Sequence, residues 1–226
     1  HRYSLIFLNE DDEVLRRMAS SQPCHIFGYG LEYQSAEILP TTPEEPFLRI
    51  KLDGQIISTN LMGAYNADNV LAAIAVGDRF GVTRKEAIAA IERYIPDNSR
   101  SQMVRTERNT LIVDAYNANP SSMAAALDSF AAIQSERKAV MLGDMKELGD
   151  ESLSEHCKVL ERLRKEMPEA YFVGEEFKKA LGKDGREPGW KWFEDSAALA
   201  AYLKENPVNE ATVLIKGSHS TEMEKV

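Results

Sequence analysis

The sequence predicts an α/β protein in which a small mixed sheet precedes a doubly wound parallel sheet. In the second half of the chain, short apolar runs typical of buried strands alternate with helical patterns. The first half combines a strand–helix–strand pattern with a hairpin signal at Asp53-Gly54. Between the halves, a polar link at residues 95–100 contains Pro96 and interrupts the pattern. We therefore predict two domains, residues 1–97 and 98–226.

Composition restricts the class of protein. The chain has 226 residues, of which 43% are hydrophobic and 28% charged, as in globular proteins. The net charge of −9 disfavours non-specific binding to nucleic acid or anionic membranes. It does not exclude a local basic pocket that binds phosphates. No apolar run approaches the ~20 residues that span a bilayer, and the first residues lack the long apolar segment that a secretory signal contains. The two cysteines, Cys24 and Cys157, are far apart in the sequence and form no paired-spacing motif, so we expect both to be reduced thiols. We expect a cytoplasmic protein.

The first half begins with a βαβ pattern. Residues 5–8 and 25–28 are short apolar runs of the kind that parallel sheets bury. Asp11 and Asp12 stand where the intervening helix should begin. The face of that helix is marked by Val14, Leu15 and Met18. Three further strands, in an antiparallel arrangement, are predicted at residues 32–38, 47–52 and 55–59.

A loop containing Gly63 then runs into a helical pattern within residues 61–75. Asn66 and Asn69 are three residues apart, so they share one face of the first turn. Amide side chains offer a donor and an acceptor that suit the edge of a purine base, and a helix N-terminus adds free N–H groups. In the structural alternative, Asn66 or Asp68 caps the helix. The spacing leaves both interpretations open.

A second helix is predicted from Thr83 to Tyr94, because Thr83 and Glu86 have the spacing of a capping box. The polar link follows it. Arg100, at the end of the link, is either a solvated surface charge or a phosphate ligand, for which its planar guanidinium is suited.

Beyond the link, strands and helices alternate as expected for a doubly wound sheet. Strands are predicted at 111–113, 139–142, 171–173, 190–193 and 213–215, and helices at 121–134, 151–166, 175–181 and 196–204. Residues 221–226 have the pattern of the first turns of another helix. Because parallel strands end at one edge of a sheet, the polar turns 114–119, 143–149 and 216–220 are expected to meet in one crevice.

The turn at residues 114–119 carries most of the candidate ligands. It follows a buried strand, so its side chains are expected to face the crevice rather than the core. The candidates are Asp114, Tyr116, Asn117 and Asn119. The alternative is ordinary turn chemistry, with Ser121 or Ser122 capping the next helix.

Two common nucleotide-binding motifs are absent from the sequence. It contains neither Gly-x-Gly-x-x-Gly nor Gly-x-x-x-x-Gly-Lys-Ser/Thr, hence neither a dinucleotide fingerprint nor a phosphate loop. His156 and His219 lack an acid and a nucleophile at suitable spacing, and we assign them no triad or metal role.

Three motifs resemble the Mur ligase family and, within it, the ligases that add D-alanyl-D-alanine in peptidoglycan synthesis. They are Asp114-Ala-Tyr-Asn-Ala-Asn-Pro-Ser-Ser-Met123, Gly143-Asp-Met-Lys-Glu-Leu-Gly149 followed by Ser152 and His156, and Lys216-Gly-Ser218. The first motif is the most specific, because sister ligases carry different residues in that turn. The segment from Gly63 to Ala73 is shared across the superfamily, and the resemblance extends over nearly the whole chain.

The resemblance implies an ATP-dependent ligase. Such an enzyme activates the carboxylate of UDP-N-acetylmuramoyl-tripeptide as an acyl phosphate, which the amine of D-alanyl-D-alanine then attacks. Residues 1–97 would be the second part of the mixed-sheet, ATP-binding central domain, and 98–226 a Rossmann-like C-terminal domain. The phosphate loop and the Mg²⁺ ligands are then expected in a preceding part. We accordingly expect these 226 residues alone to be inactive and the full-length ligase to be a monomer.

The resemblance also implies site residues, position by position. The residues matched to the ATP site are Asn66 and Asn69 on the adenine side and Arg100 and Asp114 at the phosphates and ribose. The residues matched to the substrate side are Tyr116, Asn117 and Asn119 in the dipeptide turn and Lys216 and Ser218 in a loop of the same cleft.

Two positions depart from the family pattern. Tyr65 stands where a histidine is common, and His219 where an arginine is usual, so the roles of both are left open. The alternatives to this assignment are another Mur ligase, a folylpolyglutamate-type ligase, or a non-catalytic module that holds a nucleotide.

Overall fold

The computed structural model describes residues 4–42, 46–96 and 102–226. The chain divides into two compact units, residues 1–95 and 96–226. The sequence-based boundary, after residue 97, falls in the segment 97–101, outside the described residues.

The first unit opens with the predicted βαβ arrangement. Its elements are β1 (Leu5–Asn9), α1 (Glu13–Ser20) and β2 (His25–Tyr29), and the two strands pair in parallel. The helix α1 begins where predicted, because the Asp12 carboxylate accepts hydrogen bonds from the N–H groups of Val14 and Leu15, each at 2.9 Å. Its predicted apolar face is exposed, with Met18 at 64%.

A small antiparallel sheet follows. In the described part of the first unit it consists of β3 (Glu37–Ile38), β4 (Arg49–Leu52) and β5 (Gln55–Ser58). The predicted hairpin between β4 and β5 is confirmed. Asp53 and Gly54 have φ values of 50° and 77°, the left-handed conformations that a two-residue hairpin of this type requires.

The predicted strand at residues 32–38 is wrong in its first part. Strand β3 is only two residues long, and residues 31–35 form a turn. The Asp11 carboxylate accepts hydrogen bonds from the N–H groups of Glu32 and Tyr33, both at 3.0 Å. These bonds hold the backbone in the turn, so it cannot extend into the sheet.

Two helices complete the first unit, α2 (Ala67–Arg79) and α3 (Arg84–Arg93). The predicted capping box is confirmed: the Thr83 N–H donates to the Glu86 carboxylate at 3.0 Å, and the Glu86 N–H donates to the Thr83 hydroxyl at 3.3 Å. The core of the unit includes Ile50, Ile57 and Leu71, which are completely buried.

The second unit has the alternating order that the sequence predicts. Its strands are β6 (Gln102–Arg105), β7 (Asn109–Asp114), β8 (Lys138–Gly143), β9 (Ala170–Val173), β10 (Trp190–Phe193) and β11 (Ala211–Lys216). Its helices are α4 (Pro120–Ala132), α5 (Ser152–Glu166), α6 (Glu175–Asp184) and α7 (Ser196–Glu205).

Within residues 102–226 these strands form one sheet, in the order β10-β9-β8-β11-β7-β6. The pairs among β7 to β11 are parallel, so the predicted α/β fold with a parallel sheet is confirmed. The strand β11, which is late in the sequence, lies between β7 and β8. One core of this unit packs Val213 and Ile215 of β11 against Met141 of β8 and Leu199 of α7.

Two features of the second unit differ from the prediction. The strand β6 was not predicted; it is short and pairs antiparallel with β7 through a turn at Thr106. The predicted helix start at 221–226 is wrong, because residues 219–221 and 223–225 form separate 3-10 turns. Glu222 between them has a left-handed φ of 50°, which interrupts a right-handed helix.

Candidate functional site

The carboxyl ends of β7, β11 and β8 lie side by side. In the sheet register, Lys216 at the end of β11 is opposite Asp114 of β7 and Leu142 of β8. The turns that follow the three strands are therefore neighbours, and hydrogen bonds connect all three. This confirms the predicted convergence of residues 114–119, 143–149 and 216–220.

Lys216 joins β11 to the turn after β7. Its side chain is 1% exposed, and its ammonium lies 2.6 Å from a carboxylate oxygen of Asp114. The same ammonium donates a hydrogen bond to the backbone carbonyl of Asn117 at 2.9 Å. A buried ammonium is tolerated only when it is paired and hydrogen-bonded, and these two partners meet that requirement.

Ser218 makes a second set of connections. Its hydroxyl donates to the carbonyl of Ala118 at 3.3 Å and accepts from the N–H of Lys146 at 2.9 Å. Its own N–H donates to the carbonyl of Asp144 at 3.2 Å. A single buried residue thus bonds both neighbouring turns. The predicted candidates Asp114, Asn117, Lys216 and Ser218 lie in one cluster.

The two asparagines of the turn also have structural roles. The Asn117 side chain accepts from the N–H of Ala118 at 2.8 Å. Asn119 is the N-cap of α4: its side-chain oxygen accepts from the Ser122 N–H at 2.8 Å, and the Ser122 hydroxyl contacts the Asn119 N–H at 3.1 Å. Ser122 therefore takes part in capping α4, as predicted in the structural alternative, but the N-cap position itself belongs to Asn119, and Pro120 fills the first helical position.

The aromatic side chains at the site edge are more accessible. Tyr116 is 45% exposed, and its ring centroid lies 6.2 Å from that of His219, which is also exposed. Two neighbouring aromatic side chains are therefore accessible to solvent at the edge of the cluster.

Asp144 is a central residue of the cluster that the sequence did not identify. Its side chain is completely buried, accepts from the N–H groups of Glu176 and Phe177 at 3.1 and 2.9 Å, and pairs with the Lys146 ammonium at 2.9 Å. It therefore caps α6 from another loop. Gly174 allows this approach, because a Cβ there would collide with the Asp144 carboxylate. The signal in the sequence that could have identified Asp144 is a single Asp directly after a buried strand.

His156 supports the same loop. It is completely buried, and its Nε2 accepts from the Met145 N–H at 3.0 Å, while Nδ1 lies 2.7 Å from the Ser152 carbonyl. These partners require a neutral ring with its proton on Nδ1. Burial lowers the pKa of His156 below its ordinary value of 6.5, outweighing the Ser152 carbonyl and the Asp144 carboxylate, which raise it.

The stability of the second unit is expected to depend on pH through His156. Below about pH 6.5 the unfolded chain takes up a proton that the folded chain refuses, so unfolding becomes easier as the pH falls towards the lowered folded-state pKa. Above pH 6.5 this contribution is fully present. Urea unfolding between pH 5.5 and 7.5 checks it, followed by the fluorescence of Trp190 and Trp192, the protein's two tryptophans, which both lie in β10.

The His156→Gln variant supplies the comparison. Glutamine keeps an acceptor for the Met145 N–H but does not titrate, so its unfolding free energy should change less over this range than that of the wild type. His25→Gln, an exposed substitution on β2 of the other unit, is the control. Identical pH profiles for wild type and His156→Gln would contradict the prediction.

The adenine-side candidates lie in the first unit. Asn66 is 8% exposed, and its side-chain amide donates to the Met62 carbonyl at 2.8 Å. Its side-chain oxygen accepts from the Asn69 amide at 3.0 Å. Asn66 occupies the N-cap position of α2 without a side-chain capping bond, so the capping alternative does not describe it. Arg100 lies outside the described residues.

The described parts of the chain contain no group of three or more His, Cys, Asp or Glu side chains that could hold a metal ion. Among the helices in the same ranges, none has the length and apolar character needed to cross a membrane.

The chain matches two family models. Residues 99–219 match the model described as Mur ligase, glutamate ligase domain, and residues 1–77 match the Mur ligase middle domain. The chain belongs to the Mur ligase family, as its motifs predicted.

Two curated relatives match most of this chain, but both are about twice as long or longer. It is 36% identical over 182 residues to UDP-N-acetylmuramoyl-tripeptide--D-alanyl-D-alanine ligase of Treponema pallidum, covering 79% of this chain and 39% of that protein. The Bacillus subtilis ligase of the same name is 27% identical over 227 residues, covering 95% of this chain and 49% of that protein. The chain therefore spans at most about half the length of these curated relatives.

Solved structures show the same fold. MurF ligase from Thermotoga maritima, solved in complex with ADP, has a TM-score of 0.79 and 18% identity, covering 100% of this chain and 52% of that one. MurF from Acinetobacter baumannii has a TM-score of 0.79 and 23% identity, covering 97% of this chain and 50% of that one.

Proposed function

We propose that this chain forms the second half of an ATP-dependent ligase that adds D-alanyl-D-alanine to UDP-N-acetylmuramoyl-tripeptide in cytoplasmic peptidoglycan precursor synthesis. The observation that carries the proposal is the turn at residues 114–119, fixed to Lys216 at the carboxyl edge of the central strands. Doubly wound sheets hold their ligands at this edge. The name of the Treponema pallidum relative, at 36% identity, supports the choice of substrates.

The proposal assigns each unit a part in the reaction. Residues 1–97 form the second part of the ATP-binding domain, residues 98–226 form the C-terminal domain, and the complete ligase is a monomer. The identity of 36% to one relative and the family models matched at 1–77 and 99–219 support this division.

On the nucleotide side, Asp114 is proposed to accept hydrogen bonds from the ribose hydroxyls. A carboxylate held at 2.6 Å by a buried ammonium has a fixed direction, which suits a bidentate or paired hydroxyl ligand. Asn66 and Asn69 are proposed to face adenine, and Arg100 the phosphates. Mg²⁺ bound to the phosphates would neutralise the charge that develops on them during transfer. We assign no Mg²⁺ ligand to this chain.

On the acceptor side, Tyr116, Asn117 and Asn119 are proposed to orient the dipeptide, with Lys216 and Ser218 lining the same cleft. The tripeptide carboxylate first attacks the terminal phosphorus of ATP, so that ADP leaves and an acyl phosphate forms. The dipeptide amine then attacks the acyl carbon, inorganic phosphate leaves, and the amine gives up a proton. This second step depends on holding the amine close to the acyl carbon.

The full-length ligase provides the test, with phosphate release from ATP as the readout. We expect release to require both UDP-N-acetylmuramoyl-tripeptide and D-alanyl-D-alanine. Glutamate, lysine and diaminopimelate are tested as alternative amines, because other Mur ligases and folylpolyglutamate-type ligases use amino acids. Preference for one of these amines would reject the dipeptide assignment, and no ATP-dependent turnover with any amine would favour a non-catalytic module.

Asn119→Ala in the full-length ligase is expected to raise the KM for D-alanyl-D-alanine by roughly tenfold. An amide that bonds the dipeptide leaves its partner unpaired when it is removed, at a cost of about 1–3 kcal/mol. Acyl-phosphate formation, measured by phosphate exchange without dipeptide, should stay nearly unchanged.

Because Asn119 also caps α4, the control must keep the cap. Serine is as good an N-cap as asparagine but has no amide group, so Asn119→Ser should lose dipeptide use while retaining stability. A Ser variant with wild-type kinetics beside an impaired Ala variant would show that only the cap matters. An equal loss of phosphate exchange would place the turn in the ATP step.

A further inference from the structure

Lys216 is poorly placed to bind a substrate directly. Its side chain is 1% exposed, and its ammonium is bonded to the Asp114 carboxylate at 2.6 Å and to the Asn117 carbonyl at 2.9 Å. One partner is the last residue of β7 and the other lies in the turn that follows it, but the proposed function gives them different substrates. Asp114 serves ATP, whereas the turn at Asn117 serves the dipeptide.

We propose that Lys216 is a positioning residue that holds the nucleotide-side carboxylate and the dipeptide-side turn in one fixed geometry. The inference rests on the proposed function, because it takes the two half-sites from there. It refines the proposed function at Lys216, to which we assign no direct contact with either substrate: Lys216 acts on them through Asp114 and the turn.

The energetics of a buried cation give Lys216 this influence. Hydrogen bonds to a charged group are shorter and stronger than neutral ones, so the two contacts define the positions of both partners closely. If either partner moved away, the ammonium would remain buried with part of its compensation lost. Movement of Asp114 is therefore opposed by the same group that opposes movement of the turn.

Neighbouring contacts leave the turn little freedom of its own. The next carbonyl, that of Ala118, accepts from the Ser218 hydroxyl at 3.3 Å, and Ala118 is 2% exposed. Two consecutive carbonyls of the turn are thus held by residues at the end of the same strand, β11, and directly after it. Of these two ties, only the one made by Lys216 also reaches Asp114 among the described contacts.

The test measures KM values for ATP and for D-alanyl-D-alanine in the full-length ligase. Lys216→Met is expected to raise both by about tenfold, because methionine fills the space without bonding either partner. The substitution is then repeated in an Asp114→Ala background. In that background the substitution should change the KM for ATP by less than about twofold, because Lys216 acts on ATP binding through Asp114, which is absent. It should still raise the KM for the dipeptide by about tenfold.

Lys138→Met is the matched control. Lys138 is at the opposite end of the same sheet, in β8, and its ammonium donates to the carbonyls of Phe130 and Ala131 at 3.0 and 2.8 Å. Its loss should lower stability and leave both KM values within about twofold of the wild type.

Three results would overturn the inference. One is a folded Lys216→Met variant in which either KM is unchanged; another is a rise in the KM for ATP that is equal in both backgrounds, as general loosening would produce. The third is a comparable effect of Lys138→Met. If Lys216→Met does not fold, Lys216→Gln and the double variant Asp114→Ala with Lys216→Met, which leaves no buried charge unpaired, provide the comparison. Failure of the unmodified ligase to use the dipeptide would instead contradict the proposed function.

Discussion

An Asp144→Ala variant of the 226-residue chain is expected to lose about 2–4 kcal/mol of unfolding free energy in its second unit. The substitution removes a charged acceptor from the N–H groups of Glu176 and Phe177, and the latter bond is buried. It also removes the partner of the Lys146 ammonium. Part of the loss is offset, because the folded state no longer buries a carboxylate.

Urea unfolding at pH 7.5 measures the change, again with the tryptophan signal of β10. Asp195→Ala is the matched control. Asp195 caps α7 through one bond of 2.7 Å to the Ala198 N–H, but it is exposed. An exposed cap contributes about 1 kcal/mol, so the control should lose clearly less stability than Asp144→Ala. Equal losses would mean that burial and the pair with Lys146 contribute nothing to the role of Asp144.

Asp114→Ala in the full-length ligase is expected to raise the KM for ATP by ten- to hundredfold, far more than the KM for D-alanyl-D-alanine. Hydrogen bonds from ribose hydroxyls to a carboxylate contribute about 1.5–3 kcal/mol. The variant also leaves the Lys216 ammonium buried without its counterion, which lowers stability. Folding must therefore be verified by tryptophan fluorescence before the kinetics are compared.

Asp114→Asn separates charge from shape at the same position. It keeps one acceptor oxygen and should raise the KM for ATP less than alanine does. Unchanged ATP kinetics in a folded Asp114→Ala variant would remove Asp114 from the nucleotide site. A larger effect on the dipeptide than on ATP would exchange the assignments of the two half-sites.

The alternation of elements in the second unit could be predicted because local patterns determine it. Apolar runs such as 139–142 are short and bounded by turn residues, and the helix at 151–166 has a clear period. The convergence of three turns followed from one rule about strand ends. The strand β6 was missed because Met103 and Val104, between polar residues beside a linker, carry too little pattern to distinguish a strand from a loop.

The contacts inside the site could not be predicted, because they depend on strand order. The sequence does not show that β11 lies between β7 and β8, and the pairing of β11 with β7 brings Lys216 to Asp114. The same limitation applies to Asp144, whose partners Glu176 and Phe177 are more than thirty residues away. Residue type alone also does not separate the two roles of Asn119, because asparagine is common both as a ligand and as a helix N-cap.

The sheet of the second unit cannot be completed until late in synthesis, because β11, one of its central strands, is the last strand to be made. At roughly 5–20 residues per second, a ribosome needs about 3–13 s to add residues 144–210 after β8 has been made. During that interval β7 and β8 have no strand between them, and their exposed edges are open to pairing with other chains. The ion pair between Lys216 and Asp114 forms only when the late strand inserts, so a nascent chain can acquire most of its helices before Lys216 contacts Asp114 and the turn that follows β7.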